Sequence, residues 1–393
     1  MPTAASAASP LVLDVGAFQA MIDVLAADGY TVLGPTVREG AVVPGPVASV
    51  DDLPRGCGDV QGPGTYRLRR RDDDAWFGYA ADAVSWKSVL FPARELIWRG
   101  TATPDGFELA ADRTDGGLGD PPYAILGIRA CDLAAVAIHD RILRDRAYPD
   151  PRYADRRRDT FLITVTCSDP SGTCFCVSMG TGPRADGGFD LALTELVHPE
   201  HRFVAIAGTP RGGEVLARLA GGPPSPQDLA AADGVADSAA ARMGRSMETD
   251  GIKDLLYDNP EHPRWDDVAG RCLSCGNCTL VCPTCFCTSV EEHTSLTGQD
   301  VERWRVWDSC FTSDFSYLHG GSVRGSARSR YRQWMTHKLA SWQDQFGMSG
   351  CVGCGRCIAW CPVGIDITEE AAAIRSTSTT IAPGEPGEPS REA

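Results

Sequence analysis

In the first half of the chain, short apolar runs alternate with turn-rich and helical stretches. YAILGI (123–128), FLITVTC (161–167) and FVAIAG (203–208) read as strands. Residues 11–28 carry apolar positions at helical spacing, and Gly29 is placed to end that helix. Tyr30–Val43 reads as strand and turn. From Cys131, CDLAAVAIHDRILRD reads as a helix entered directly from a strand, with Asp132 in the first turn where a carboxylate is favoured. The alternation predicts an α/β domain over 11–220.

The pattern changes at Gly221. GGPPSPQDLAAADGVADSAAARMG (221–244) opens on Pro and Gly and then becomes helix-permissive, so 221–265 reads as a linker with a helix. A polar helix around Thr249–Asp258 and an NPEHPRW turn follow. Residues 266–375 form a cysteine-rich domain, and the Ser, Thr, Pro, Gly and Glu of 376–393 predict a disordered tail.

That cysteine-rich segment holds Cys272, Cys275, Cys278, Cys282-Pro283 and Cys351, Cys354, Cys357, Cys361-Pro362. Both runs spell Cys-x2-Cys-x2-Cys-x3-Cys-Pro, the pattern of a ferredoxin-like domain with two [4Fe-4S] clusters. In such domains the fourth cysteine of each run serves the other cluster. The expected sets are therefore Cys272, Cys275, Cys278 with Cys361, and Cys351, Cys354, Cys357 with Cys282. Structural zinc is the competing reading of Cys-x2-Cys, but zinc takes only four ligands, and the x3 gap and proline occur twice. No Cys-x2-Cys is followed by His, which excludes c-type haem attachment.

A long insert, expected to be helical, separates the runs. It contains Trp304, Trp307, Trp334 and Trp342, which read as core, and a basic stretch with Arg324, Arg328, Arg330, Arg332 and Lys338. That stretch is either a solvated helix face or a feature that docks an acidic partner or raises a cluster's potential.

Cys131, Cys167, Cys174 and Cys176 stand at or just beyond the ends of predicted strands. They are candidates for a third [4Fe-4S] cluster, with buried structural thiols and redox-active thiols as alternatives, and Asp132 as a substitute ligand. Cys285 and Cys287 repeat in Thr284–Cys287 the Thr-Cys-Phe-Cys of Thr173–Cys176, and Cys310 follows. These three either line the clusters, help bind another, or pack around the domain. Cys57 reads as incidental.

Charge and length narrow the function classes. The 393 residues carry 37 Lys plus Arg against 52 Asp plus Glu, a net charge of −15, which argues against nucleic acid as a partner. No uncharged apolar run is long enough to span a bilayer and no secretory signal is read, so a cytoplasmic location is expected. No Gly-x-Gly-x-x-Gly opens a helix after a strand, no Walker A sequence occurs, and no catalytic site of the chain's own is evident.

GIRACDLAAVAIHD, TCSDPSGTCFCVSMGTGP, RCLSCGNCTLVCPTCFC, RVWDSCFTSDFSYLHGG, RSRYRQWMTHK and GCVGCGRCIAWCPVGIDI together resemble the β (iron–sulfur) subunit of soluble NAD(P)-linked [NiFe] hydrogenases, or sulfhydrogenases. They are similar also to the related iron–sulfur component of anaerobic sulfite reductases. The likeness runs from about Leu11 to Thr368. It implies a relay subunit passing electrons between a flavin subunit that handles NAD(P)H and the small and large subunits of a [NiFe] hydrogenase. Relay service in a sulfite or sulfur reductase, or direct reduction by a cysteine-based site, are the alternatives.

Overall fold

The computed structural model describes residues 9–80, 84–110 and 122–378. Residues 11–28 divide into two elements. Leu11–Asp14 is a strand and the helix is Val15–Ala27, because the Asp14 carboxylate accepts a hydrogen bond from the Ala17 N–H at 2.7 Å and caps the helix there. Gly29, at φ 89°, turns the chain out of it as expected.

Among the described residues the main sheet runs Leu11–Asp14, Arg202–Ala207, Leu191–Leu196, Phe161–Val165, Tyr123–Ile128, Thr31–Arg38 and Ala41–Pro46. The four strands from Leu191–Leu196 to Thr31–Arg38 are parallel, and antiparallel strands flank them on both sides. Every residue of Tyr123–Ile128 and Phe161–Val165 is buried. Their side chains alternate between two cores. Ala124, Leu126, Phe161 and Ile163 pack with Phe18, Met21, Val215 and Leu216, whereas Tyr123, Ile125 and Leu162 pack with Leu133, Val136 and Tyr153. Helices on both faces of a largely parallel sheet make this half an α/β fold.

Residues 221–265 do more than tether. Gly222 bridges Val12, and the helix Pro226–Ala241 lays Ala232 against Leu196 and Val204. The helix Ile252–Asp258 brings Ile252 and Leu256 into a core with Trp265, Trp334 and Ile358 around the cysteine runs.

The insert departs most from expectation. It opens as a hairpin, Thr288–Thr294 with Asp300–Trp307, and becomes helical only at Ala327–Thr336. Asp300–Trp307 also pairs with Arg94–Thr103, so this sheet draws strands from both halves of the sequence. A bulge between Arg303 and Trp304 breaks the two-residue alternation, which hides the strand from pattern reading. The Arg156 and Arg305 guanidiniums converge on the buried Glu95 carboxylate across the same seam. At the C-terminus the helix Ile367–Thr377 takes in Ser376 and Thr377, and the expected disorder beyond Ser378 lies outside the described residues.

Candidate metal centres

The two cysteine runs fold alike. Cys272 follows the helix Arg264–Arg271, and Gly276, at φ 77°, starts the single turn Asn277–Leu280 that carries Cys278. In the second run Gly355, at φ 76°, starts Arg356–Ala359, which carries Cys357. A Cβ on Gly355 would meet the Thr173 carbonyl oxygen at 2.4 Å, so glycine here allows the run to lie directly on the first Thr-Cys-Phe-Cys.

Cys272, Cys275, Cys278, Cys357 and Cys361 line one apolar cavity with Phe311, Tyr331 and Ile365, so two cysteines of the second run meet the first three of the first. Conversely, Cys282 Sγ lies 3.1 Å from Thr284 Oγ1, which donates to the Gly350 carbonyl at 2.8 Å, so Cys282 sits beside the start of the second run. Backbone N–H groups point at sulfur, Ser274 donating to Cys272 Sγ at 3.4 Å and Ile365 to Cys361 Sγ at 3.3 Å.

Burial pushes Cys351 up to about 12 and Cys278 and Cys357 well above the ordinary thiol range. Cys282 goes the other way. A hydrogen bond from the Cys285 thiol and the charge of the Lys338 ammonium hold it well below that range, with Lys338 Nζ donating to Cys282 Sγ at 3.2 Å. Among the described residues, no three His, Cys, Asp or Glu side chains converge tightly enough for a single metal ion. Thiols spaced around apolar cavities suit a multinuclear cluster better than zinc, whose ligand sulfurs all lie about 2.3 Å from one ion.

A third cavity brings together Cys131, Cys167, Cys174 and Cys176 with Arg129, Met243 and Cys354. It lies beyond the ends of Tyr123–Ile128 and Phe161–Val165, where parallel sheets gather ligands. The Arg129 guanidinium donates to the carbonyls of Phe77 and Tyr79, each at 2.8 Å, and puts a cation beside these thiols. Burial raises Cys174 to about 12. Asp132 does not take the ligand role open to it from sequence. Both its carboxylate oxygens accept from Arg356 at 2.8 Å, in an ion pair whose side chains are 1% and 2% exposed. Arg356 stands between Cys354 and Cys357, so the pair fastens the second run to the first half of the chain.

The basic stretch is largely spent on partners within the chain. Arg328 pairs with Glu261 at 2.8 Å and Asp266 at 3.0 Å, Arg330 donates to the Arg324 and Phe311 carbonyls, and Lys338 is buried against sulfur. Trp334 and Trp342 are core, as expected. Cys285, Cys287 and Cys310 line a separate cavity with His337 and Lys338. Sequence reasoning missed Arg356 and Arg129 altogether. Arg356 had a legible signal, a charge set between two cysteines of one run.

A family model described as a 4Fe-4S dicluster domain matches residues 271–365. The chain is 32% identical over 251 residues to the protein named sulfhydrogenase 2 subunit beta of Pyrococcus furiosus, a match covering 63% of this chain and 72% of that one. No solved structure matches it significantly.

Proposed function

From the premise that the chain belongs to the sulfhydrogenase β-subunit family and is an iron–sulfur electron-transfer component of an oxidoreductase, we propose that it relays single electrons between an NAD(P)H-oxidising flavin subunit and a [NiFe] hydrogenase module. One observation carries this reading: the cysteine-lined sites adjoin one another. Cys357 neighbours Cys351 and Cys354 and also borders the first cavity, and Cys354 borders the third. The sites make a continuous line from the C-terminal cysteine runs into the α/β half.

We assign Cys272, Cys275, Cys278 and Cys361 to one [4Fe-4S] cluster, Cys351, Cys354, Cys357 and Cys282 to a second, and Cys131, Cys167, Cys174 and Cys176 to a third. When bound, such clusters supply one-electron chemistry with potentials set by charge, hydrogen bonds to sulfur and exposure. The chain's own residues supply the setting. Phe311, Tyr331 and Trp334 keep water from the first set, the Ser274 and Ile365 N–H groups donate to its sulfurs, and Lys338 donates to Cys282.

The first site is where electrons cross to a partner protein. Cys275 is exposed, and Leu273, Leu280 and Val363 around it are 64%, 40% and 39% exposed. This apolar rim is suited to a protein contact. No described helix is long and apolar enough to cross a membrane. The same line of sites would serve a sulfite or sulfur reductase, and the likeness to a sulfhydrogenase component favours the hydrogenase partner.

The test is anaerobic purification of the tagged chain with whatever subunits accompany it, followed by NAD(P)H addition. A flavoprotein and a nickel protein should copurify, and NAD(P)H should bleach the chain's visible cluster absorbance. A copurified flavoprotein that oxidises NAD(P)H without bleaching the chain would overturn the relay.

A further inference from the structure

The Thr-Cys-Phe-Cys tetrapeptide occurs twice, and both copies place their two cysteines on a cavity. In the first copy these are Cys174 and Cys176. In the second, Cys285 and Cys287 meet Cys310 around a space of about 240 Å³. That exceeds the roughly 150 Å³ at which an engineered protein cavity admits benzene, leaving room for an eight-atom inorganic core.

The charges around this space call for an anion. Lys338, 5% exposed, donates to Cys282 Sγ at 3.2 Å and to Thr284 Oγ1 at 2.9 Å. Lys87, 4% exposed, donates to the Leu280 and Cys285 carbonyls and lies 3.8 Å over the Trp307 ring. Among the described residues neither ammonium meets a carboxylate, and Arg324 lines the same cavity. Cys282, held well below its usual range, already offsets Lys338, but the buried Lys87 donates to carbonyls; a buried ammonium without a counter-charge is costly, and packed neutral thiols would not supply one. An iron–sulfur core held by thiolates would.

Resting on the relay reading above, we propose that Cys285, Cys287 and Cys310 ligate a further [4Fe-4S] cluster whose remaining iron faces His337. A preformed [4Fe-4S] core delivered on a carrier's thiolates would exchange three carrier Fe–S bonds for bonds to Cys285, Cys287 and Cys310, the three S–H protons passing to the released carrier thiolates with no change of oxidation state. The His337 ring lines the cavity between Phe286 and Trp342, with ring centroids 6.5 and 6.2 Å away. Cys282 and Lys338 join this site to the second cluster's ligands, so the line of sites branches there.

The experiment is iron and acid-labile sulfide per full-length chain, purified anaerobically to a single polypeptide freed of copurifying subunits. Wild type is compared with Cys287→Ser/Cys310→Ser and Cys174→Ser/Cys176→Ser, with pulsed EPR of the reduced protein. About sixteen irons, falling by about four in each double variant, is the expected result. A wild-type count of about twelve that falls only in Cys174→Ser/Cys176→Ser overturns this site and leaves the proposed relay intact. A count of about twelve that falls only in Cys287→Ser/Cys310→Ser supports it and removes the N-terminal cluster instead. Should a double variant fold poorly, the wild-type spectrum decides. A strong nitrogen coupling on one cluster, lost in His337→Ala, supports the assignment, and no such coupling overturns the His337 ligation.

Discussion

The two cysteine runs share spacing, glycine positions and local turns, yet they live in opposite surroundings. In the first run Cys275 is exposed and Leu273 is 64% exposed; in the second, the matching Cys354 and Val352 are 8% and 2% exposed. Asn277 in the first run reaches only the Trp360 carbonyl, whereas Arg356 at the same place is clamped by Asp132. Ser274 takes φ 52°, and its counterpart Gly353 takes φ 65° with the Phe175 backbone against it. One cysteine pattern therefore sits in two settings, which in the proposed relay serve as an outward-facing port and as an interior junction covered by the α/β half.

The contrast can be broken at matched positions. Arg356→Met leaves Asp132 buried without its partner and should cost about 3–5 kcal/mol in anaerobic urea unfolding, whereas Asn277→Ala should cost under about 1 kcal/mol. Near-equal losses would show that the second run is not fastened as described. Next comes Gly353→Ala. Its Cβ would fall 2.6 Å from the Phe175 carbonyl carbon in a left-handed conformation, for an expected loss of about 2–4 kcal/mol. The mirror change, Ser274→Gly, should relieve about 1 kcal/mol of backbone strain and raise stability slightly.

Lys338→Met probes electrostatics in place of packing. Removing a buried positive charge from Cys282 should make the reduction potential of the proposed second cluster more negative by an amount on the order of 100 mV, leaving that of the proposed first nearly unchanged. Redox titration followed by EPR reads both at once. A shift confined to the first cluster would place Cys282 in the wrong set.

The sequence made some of this legible and hid the rest for definite reasons. Tyr123–Ile128 and Phe161–Val165 were readable because strands buried on both faces are nearly continuous apolar runs. The meeting of Cys131 with Cys167, Cys174 and Cys176 could be anticipated because each follows a strand of one parallel sheet. Asp300–Trp307 was obscured by its bulge, and its pairing with Arg94–Thr103 lies about two hundred residues away in sequence, beyond the reach of local pattern. Lys338 was misleading. In sequence it belongs to a run of cations, and only the fold turns it inward toward sulfur while Arg328 goes to Glu261 and Asp266.

The interlock of the two runs is the claim on which port and junction both depend, and Cys361→Ser tests it most directly. Its reduced-state EPR spectrum and iron count should match those of Cys275→Ser, with the cluster of Cys351, Cys354 and Cys357 intact. A spectrum matching Cys354→Ser instead would mean that each run holds its own cluster, and would contradict the crossed arrangement.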